Sequence, residues 1–86
     1  MDNTNLFKID DIENALVSKT LIEVYKSLES RGYNPNSQII GYLVTGDPGY
    51  ITSFENARDK MSSLNREKVL DIILRDYMKN NLIWEV

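Results

Sequence analysis

Cysteine and histidine are both absent from this chain. Without cysteine there can be neither a disulfide staple nor a thiolate metal site. Without histidine the commonest general base and most transition-metal ligation are gone. Serines and threonines remain, but no obvious neighbour activates one as a nucleophile. No apolar run approaches the 18 residues of a membrane span, and the polar N-terminus lacks a signal-peptide core. These absences point to a cytoplasmic protein that is no enzyme, carries no cofactor or resident metal, and does not insert into a membrane.

Glycine and proline are scarce and clustered. All four glycines and both prolines fall within residues 32–51, GYNPNSQIIGYLVTGDPGYI. That stretch holds three tyrosines and a single charged side chain, Asp47. No lysine or arginine occurs between Arg31 and Arg58. A phosphate cradle built on Gly41 to Gly46 would need a following Lys and Ser or Thr, which are missing. A recognition helix here would meet DNA without a cation, so a helix-turn-helix DNA-binding protein is only a third-ranked alternative.

The net charge of −3 is unevenly placed. Asp2, Asp10, Asp11 and Glu13 against Lys8 put the whole excess in the first 13 residues. The acids lack an EF-hand loop pattern, and solvation beside a helix N-terminus is their simplest role. Arg58, Lys60, Arg66 and Lys68 form a modest basic cluster diluted by Asp59 and Glu67, whose plainest role is a solvated helical face.

The remaining sequence reads as helix. Residues 1–11 have no clear periodicity and form a flexible N-terminal arm. Residues 12–86 form one helical dimerisation domain. Val17, Leu21, Val24, Tyr25 and Leu28 lie on one stripe of a first helix that ends at Gly32. Asn34-Pro35 opens a second helix, apolar nearly all round and therefore buried, which Gly46-Asp47-Pro48-Gly49 ends in a turn. Gly41, unfavourable inside a helix, implies close approach by another backbone and permits a helix crossing. Thr52 and Glu55 fit a capping box opening a third helix to about Ser62. Leu64, Asn65 and Val69 open a fourth, from Arg66 to about Asn80. Its residues Val69, Leu70, Ile72, Ile73, Leu74 and Tyr77 spread over roughly 200° of arc, more than one layer of a monomer requires. The excess predicts a homodimer with Val69, Ile72, Ile73 and Tyr77 at the interface. The apolar tail, LIWEV, is expected to dock. The fold class is all-α, a compact bundle of about four short helices per subunit.

Residues 32–51 also resemble the signature of the IreB-like (ReoM-like) small regulatory phosphoproteins of Gram-positive bacteria. Gly32, Tyr33, Asn34, Pro35, Gln38, Ile39, Gly41, Tyr42, Leu43, Gly46, Asp47, Pro48, Tyr50 and Ile51 match in one ungapped run. Ala57-Arg58 and Arg66 agree as well. The resemblance implies a cytosolic homodimer whose N-terminal segment is the substrate of a membrane-spanning Ser/Thr kinase. It implies a non-catalytic regulator of peptidoglycan precursor synthesis that governs turnover of UDP-N-acetylglucosamine carboxyvinyltransferase and, with it, cell-wall antibiotic tolerance. Downstream partners would be that precursor enzyme or a protease adaptor. Thr4-Asn5-Leu6-Phe7-Lys8-Ile9-Asp10 reproduces the family's phosphoacceptor pattern and nominates Thr4. Two outcomes are open for phosphate there: docking on Arg58 and Arg66, the cations kept at family positions, which is slightly favoured, or repulsion of the arm from an acidic partner. The chain departs from the pattern at Thr52-Ser53-Phe54, where the family has Pro-Arg-His, and at Ser62, where it has Arg. Two cations and a histidine of the family's basic surface are thereby lost. A plain dimeric adaptor without kinase regulation is the main alternative.

Overall fold

Asn34 and Asn65 start two of the four helices by the same device. Each has an extended backbone, and each side-chain Oδ1 accepts a hydrogen bond from the amide three residues on: Ser37 at 3.0 Å and Lys68 at 3.0 Å. The computed structural model describes the backbone of residues 3–82 and the side chains of residues 12–82. Helix α1 spans Asn3–Ser30, α2 Pro35–Thr45, α3 Ala57–Ser62 and α4 Arg66–Asn81. Short 3-10 turns at Pro48–Tyr50 and Phe54–Asn56 lie between α2 and α3. The described residues are all-helical apart from turns and loops, with no strand among them. No helix among them is long and apolar enough to cross a membrane.

Helix α1 reaches back to Asn3, where the sequence pattern started a helix near Ile12. No glycine or proline lies between residues 3 and 30 to stop it. Its C-terminus closes in a Schellman arrangement. Gly32 takes φ +85° and donates to the Glu29 carbonyl, and the Tyr33 amide donates to the Leu28 carbonyl at 3.0 Å. Side chains of the first 11 residues, Thr4 among them, lie outside those described, as does the tail from residue 83.

Val17, Val24 and Leu28 of α1, Tyr42 and Leu43 of α2, Ile51, Ala57, Met61 and Val69 form the core. Tyr25, placed by the stripe on the core side, is instead substantially exposed, and Thr20 and Ser27 are buried. The core stripe is therefore rotated toward the polar flank of the expected one. Helix α1 packs on α2 and α3, while α4 has few contacts with the other helices. Val69 is its one fully buried residue, and Ile72 packs partly against the core.

Two expectations fail here. Helix α2 is not wholly buried: Ile40 is 59% and Val44 76% exposed. Three helices cannot surround it in so short a chain, so its outer face is left over. The third helix does not begin at a Thr52–Glu55 capping box. Glu55 and Asn56 take φ of +54° and +61°, and α3 starts only at Ala57. Thr52 Oγ1 accepts from the Phe54 amide at 3.2 Å, and the Glu55 side chain is engaged elsewhere.

Gly41 does permit a close approach, though by a ring and not by another backbone. A Cβ at this position would lie within 2.9 Å of three ring carbons of Tyr50. Gly41→Ala should gain roughly 1 kcal/mol of helix propensity but lose about 1–3 kcal/mol to overpacking. In a Tyr50→Ala background the same substitution should become neutral or stabilising. A double-mutant cycle by urea denaturation checks this, and additive effects would contradict the contact.

Candidate functional site

Several polar groups of the stretch from Gly32 to Ile51 bond within the stretch itself. Thr45 Oγ1 donates to the Gly41 carbonyl at 2.7 Å and accepts from the Asp47 amide at 3.0 Å. Gly46 ends α2 in the left-handed region, φ +76°, with its amide on the Tyr42 carbonyl at 2.7 Å. Asp47 Oδ1 accepts from the Gly49 amide at 2.8 Å, and Pro48 sets the first residue of the 3-10 turn. Gln38 Nε2 donates back to the Tyr50 carbonyl at 3.0 Å. The turn thus folds against α2 and delivers Ile51 into the core with no exposed surface.

Two arginines from outside complete it. Arg58 Nε donates to the carbonyls of Ile51 at 2.8 Å and Pro48 at 3.1 Å. Arg66 Nη1 donates to the Leu43 carbonyl at 3.1 Å, and its guanidinium lies against Gly46. Any side chain at Gly46 would meet it, since a Cβ there would sit 2.8 Å from Arg66 Cζ. Arg66 is the first residue of α4, where the helix dipole disfavours a cation. Its side chain instead reaches the carbonyl end of α2, where the dipole favours one.

The structure therefore brings Arg58 and Arg66 together around one segment, residues 43–51. Among the described residues no carboxylate lies within ion-pair distance of either. Among the described residues Arg58 is held through Nε alone, with no bond from its two Nη groups. The other two cations of the basic cluster are paired, Lys60 with Glu23 at 3.4 Å and Lys68 with Glu13 at 3.4 Å. The cluster is not an open row of phosphate contacts, which weakens the DNA-binding alternative further.

The residues named for a dimer interface divide. Val69 is wholly enclosed by its own chain and has no surface to offer a partner. Ile72 is partly buried beside it. Ile73 and Tyr77 are exposed, with Leu70, Leu74 and Met78 on the same flank. An apolar groove of about 290 Å³ connects this flank to α1 and α2, lined by Leu21, Ile22, Tyr25, Lys26, Ile39 and Ile73. Ile22, Tyr25, Ile40 and Val44 are exposed as well, which the sequence pattern does not predict. The nearly all-round apolarity of α2 was the signal that could have found the last two.

Arg66→Ala should cost about 1 kcal/mol, less than a buried hydrogen bond from a charged group because Arg66 is exposed. Arg66→Lys should recover little of it, because an ammonium cannot lie flat over Gly46. Urea midpoints measure both, and full recovery by lysine would contradict the guanidinium's role.

A family model described as IreB regulatory phosphoprotein matches residues 2–79. The match takes in α1, α2, α3 and most of α4, including the turn and both arginines that hold it. Signature, fold and family match agree, and the chain belongs to the IreB family of regulatory phosphoproteins.

Proposed function

We propose that this chain is a non-catalytic, homodimeric regulator switched by phosphorylation of Thr4, with Arg58 and Arg66 receiving the phosphorylated arm. The observation that carries the proposal is the state of the two guanidiniums. Each is fixed by backbone carbonyls and retains N–H groups with no partner seen among the described residues. A guanidinium held in place loses little entropy when it binds a phosphate, and such charge-assisted bonds are the strong class.

The arm is the natural place for the modification. Among the described residues of α1 the first in the core is Val17, and Ile12 is 66% exposed. Among the described residues, Ile12 to Leu16 are all exposed and Glu13 is paired with Lys68 at 3.4 Å, and helix held by few tertiary contacts unwinds readily. Unwinding gives a kinase an extended substrate. The roughly eight residues between Thr4 and Ile12 then reach up to about 28 Å. Phosphate adds about −1.5 to −2 charge to a segment already at −3.

Support for the dimer comes from α4. Among the described residues the helix is attached through Val69, Ile72, the Arg66 bond and one ion pair, and leaves an apolar flank that joins the groove against α1 and α2. A second copy of the chain covers both flanks with one symmetric contact. The kinase as a membrane-spanning Ser/Thr enzyme, and precursor-enzyme turnover as the output, rest on the family resemblance.

Sedimentation at micromolar concentration should show a dimer. Ile73→Asp should yield a monomer that keeps its helical circular dichroism, since Ile73 is 42% exposed in the single chain. A wild-type monomer would contradict this. Incubation with a cognate Ser/Thr kinase domain should place phosphate on Thr4 by mass spectrometry and move the amide resonances of Arg58 and Arg66. Phosphate confined to the helical body, or none, favours the plain adaptor, and phosphate on Thr4 with still arginine signals contradicts docking.

A further inference from the structure

Between the buried residues Ile51 and Ala57 the chain takes a conformation its own sequence disfavours. Glu55 and Asn56 are consecutive non-glycine residues in the left-handed region. Asparagine tolerates that region, but glutamate does not, and such pairs persist only where the surroundings hold them. Helix α3 is correspondingly short and poorly started: it has six residues, and Asn56 makes no side-chain bond to its first turn. The same residues hold the makings of a better start. Thr52 and Glu55 are spaced as a capping box, and the Thr52 hydroxyl already accepts the Phe54 amide.

Two contacts keep the segment as it is. Ser27, 3% exposed on α1, donates its hydroxyl to Glu55 Oε1 at 3.1 Å. The Arg31 guanidinium lies over the Phe54 ring, 4.8 Å from its centre. Both tie the segment to the end of α1. The first also removes from the capping box the carboxylate that would close it.

We infer that residues 52–56 are a two-state element, latched in the strained turn by the Ser27–Glu55 hydrogen bond and released into an N-terminal extension of α3. In the released form Glu55 and Asn56 return to right-handed helix, Thr52 caps, and α3 begins at Ser53. Phe54 lies three residues before Ala57 and seven before Met61, the two buried residues of α3. Straightening therefore turns Phe54 from Arg31 toward the core stripe. Arg58 feels the change directly, because its Nε bond to the Ile51 carbonyl spans the segment from outside. The element stands independently of the phosphorylation reading: it requires neither Thr4 nor a kinase.

The test is backbone NMR of the full-length protein, reading carbon secondary shifts and intraresidue couplings at residues 53–56. Wild type should show positive φ at Glu55 and Asn56. Ser27→Ala removes the latch and keeps the capping box, and should raise the helical population at 53–56 roughly tenfold, the scale of one hydrogen bond to a charged group. Asn56→Gly should hold the turn closed, since glycine adopts the left-handed region freely. Glu55→Ala, at an exposed position that leaves the core intact, should abolish the positive φ at residue 55. Helical shifts at 53–56 in wild type would overturn the inference, as would Ser27→Ala and Glu55→Ala both leaving the turn unchanged.

Discussion

Backbone carbonyls at the end of a helix must find donors, and here two arginine side chains supply them. Arg58 takes the carbonyls of Pro48 and Ile51, and Arg66 takes that of Leu43. Much of the body depends on those bonds. They fix the turn that carries Tyr50 over Gly41 and sends Ile51 into the core. They also set where α3 and α4 lie against α2, because each arginine sits in the first turn of its own helix. Arginine suits the task because its planar donors can bond carbonyls on one edge and leave others for a partner.

The price of this economy is a small core with a large unfinished surface. An 86-residue chain buries about 60% of the surface its unfolded form exposes. Nine buried apolar residues cannot also cover the outer face of α2 and the Ile73–Tyr77 flank of α4. With no buried ion pair among the described residues, that remainder is the surface on which the proposed second copy would sit. In the proposed function, assembly and control use different parts of the molecule: the apolar flanks for the one, the arginine-held turn and the arm for the other.

Helix starts marked by Asn34 and Asn65, the stop at Gly32, and the turn at Gly46 to Gly49 were legible because each depends on local chemistry. So was the surplus apolar arc of α4. Periodicity alone gives the core stripe of α1 the wrong rotation, since it does not register that Thr20 and Ser27 are buried, the latter against Glu55. The Thr52–Glu55 box failed for a related reason: Ser27, 28 residues away in sequence, takes the glutamate. Arg58 and Arg66 were recognised as important, but as surface charge. Their bonds to carbonyls are tertiary, and nothing in the spacing of a lone arginine announces which backbone it will reach.

The central claim is that these arginines are held by carbonyls, not free in solvent. Side-chain Nε–H signals distinguish the two states, because a hydrogen-bonded guanidinium N–H exchanges slowly with water. The account expects the Arg58 Nε–H to persist in spectra at neutral pH and to exchange far more slowly than that of Arg75, whose Nε bonds only the exposed Asp71 carboxylate at 2.8 Å. Equal exchange at Arg58 and Arg75 would contradict it.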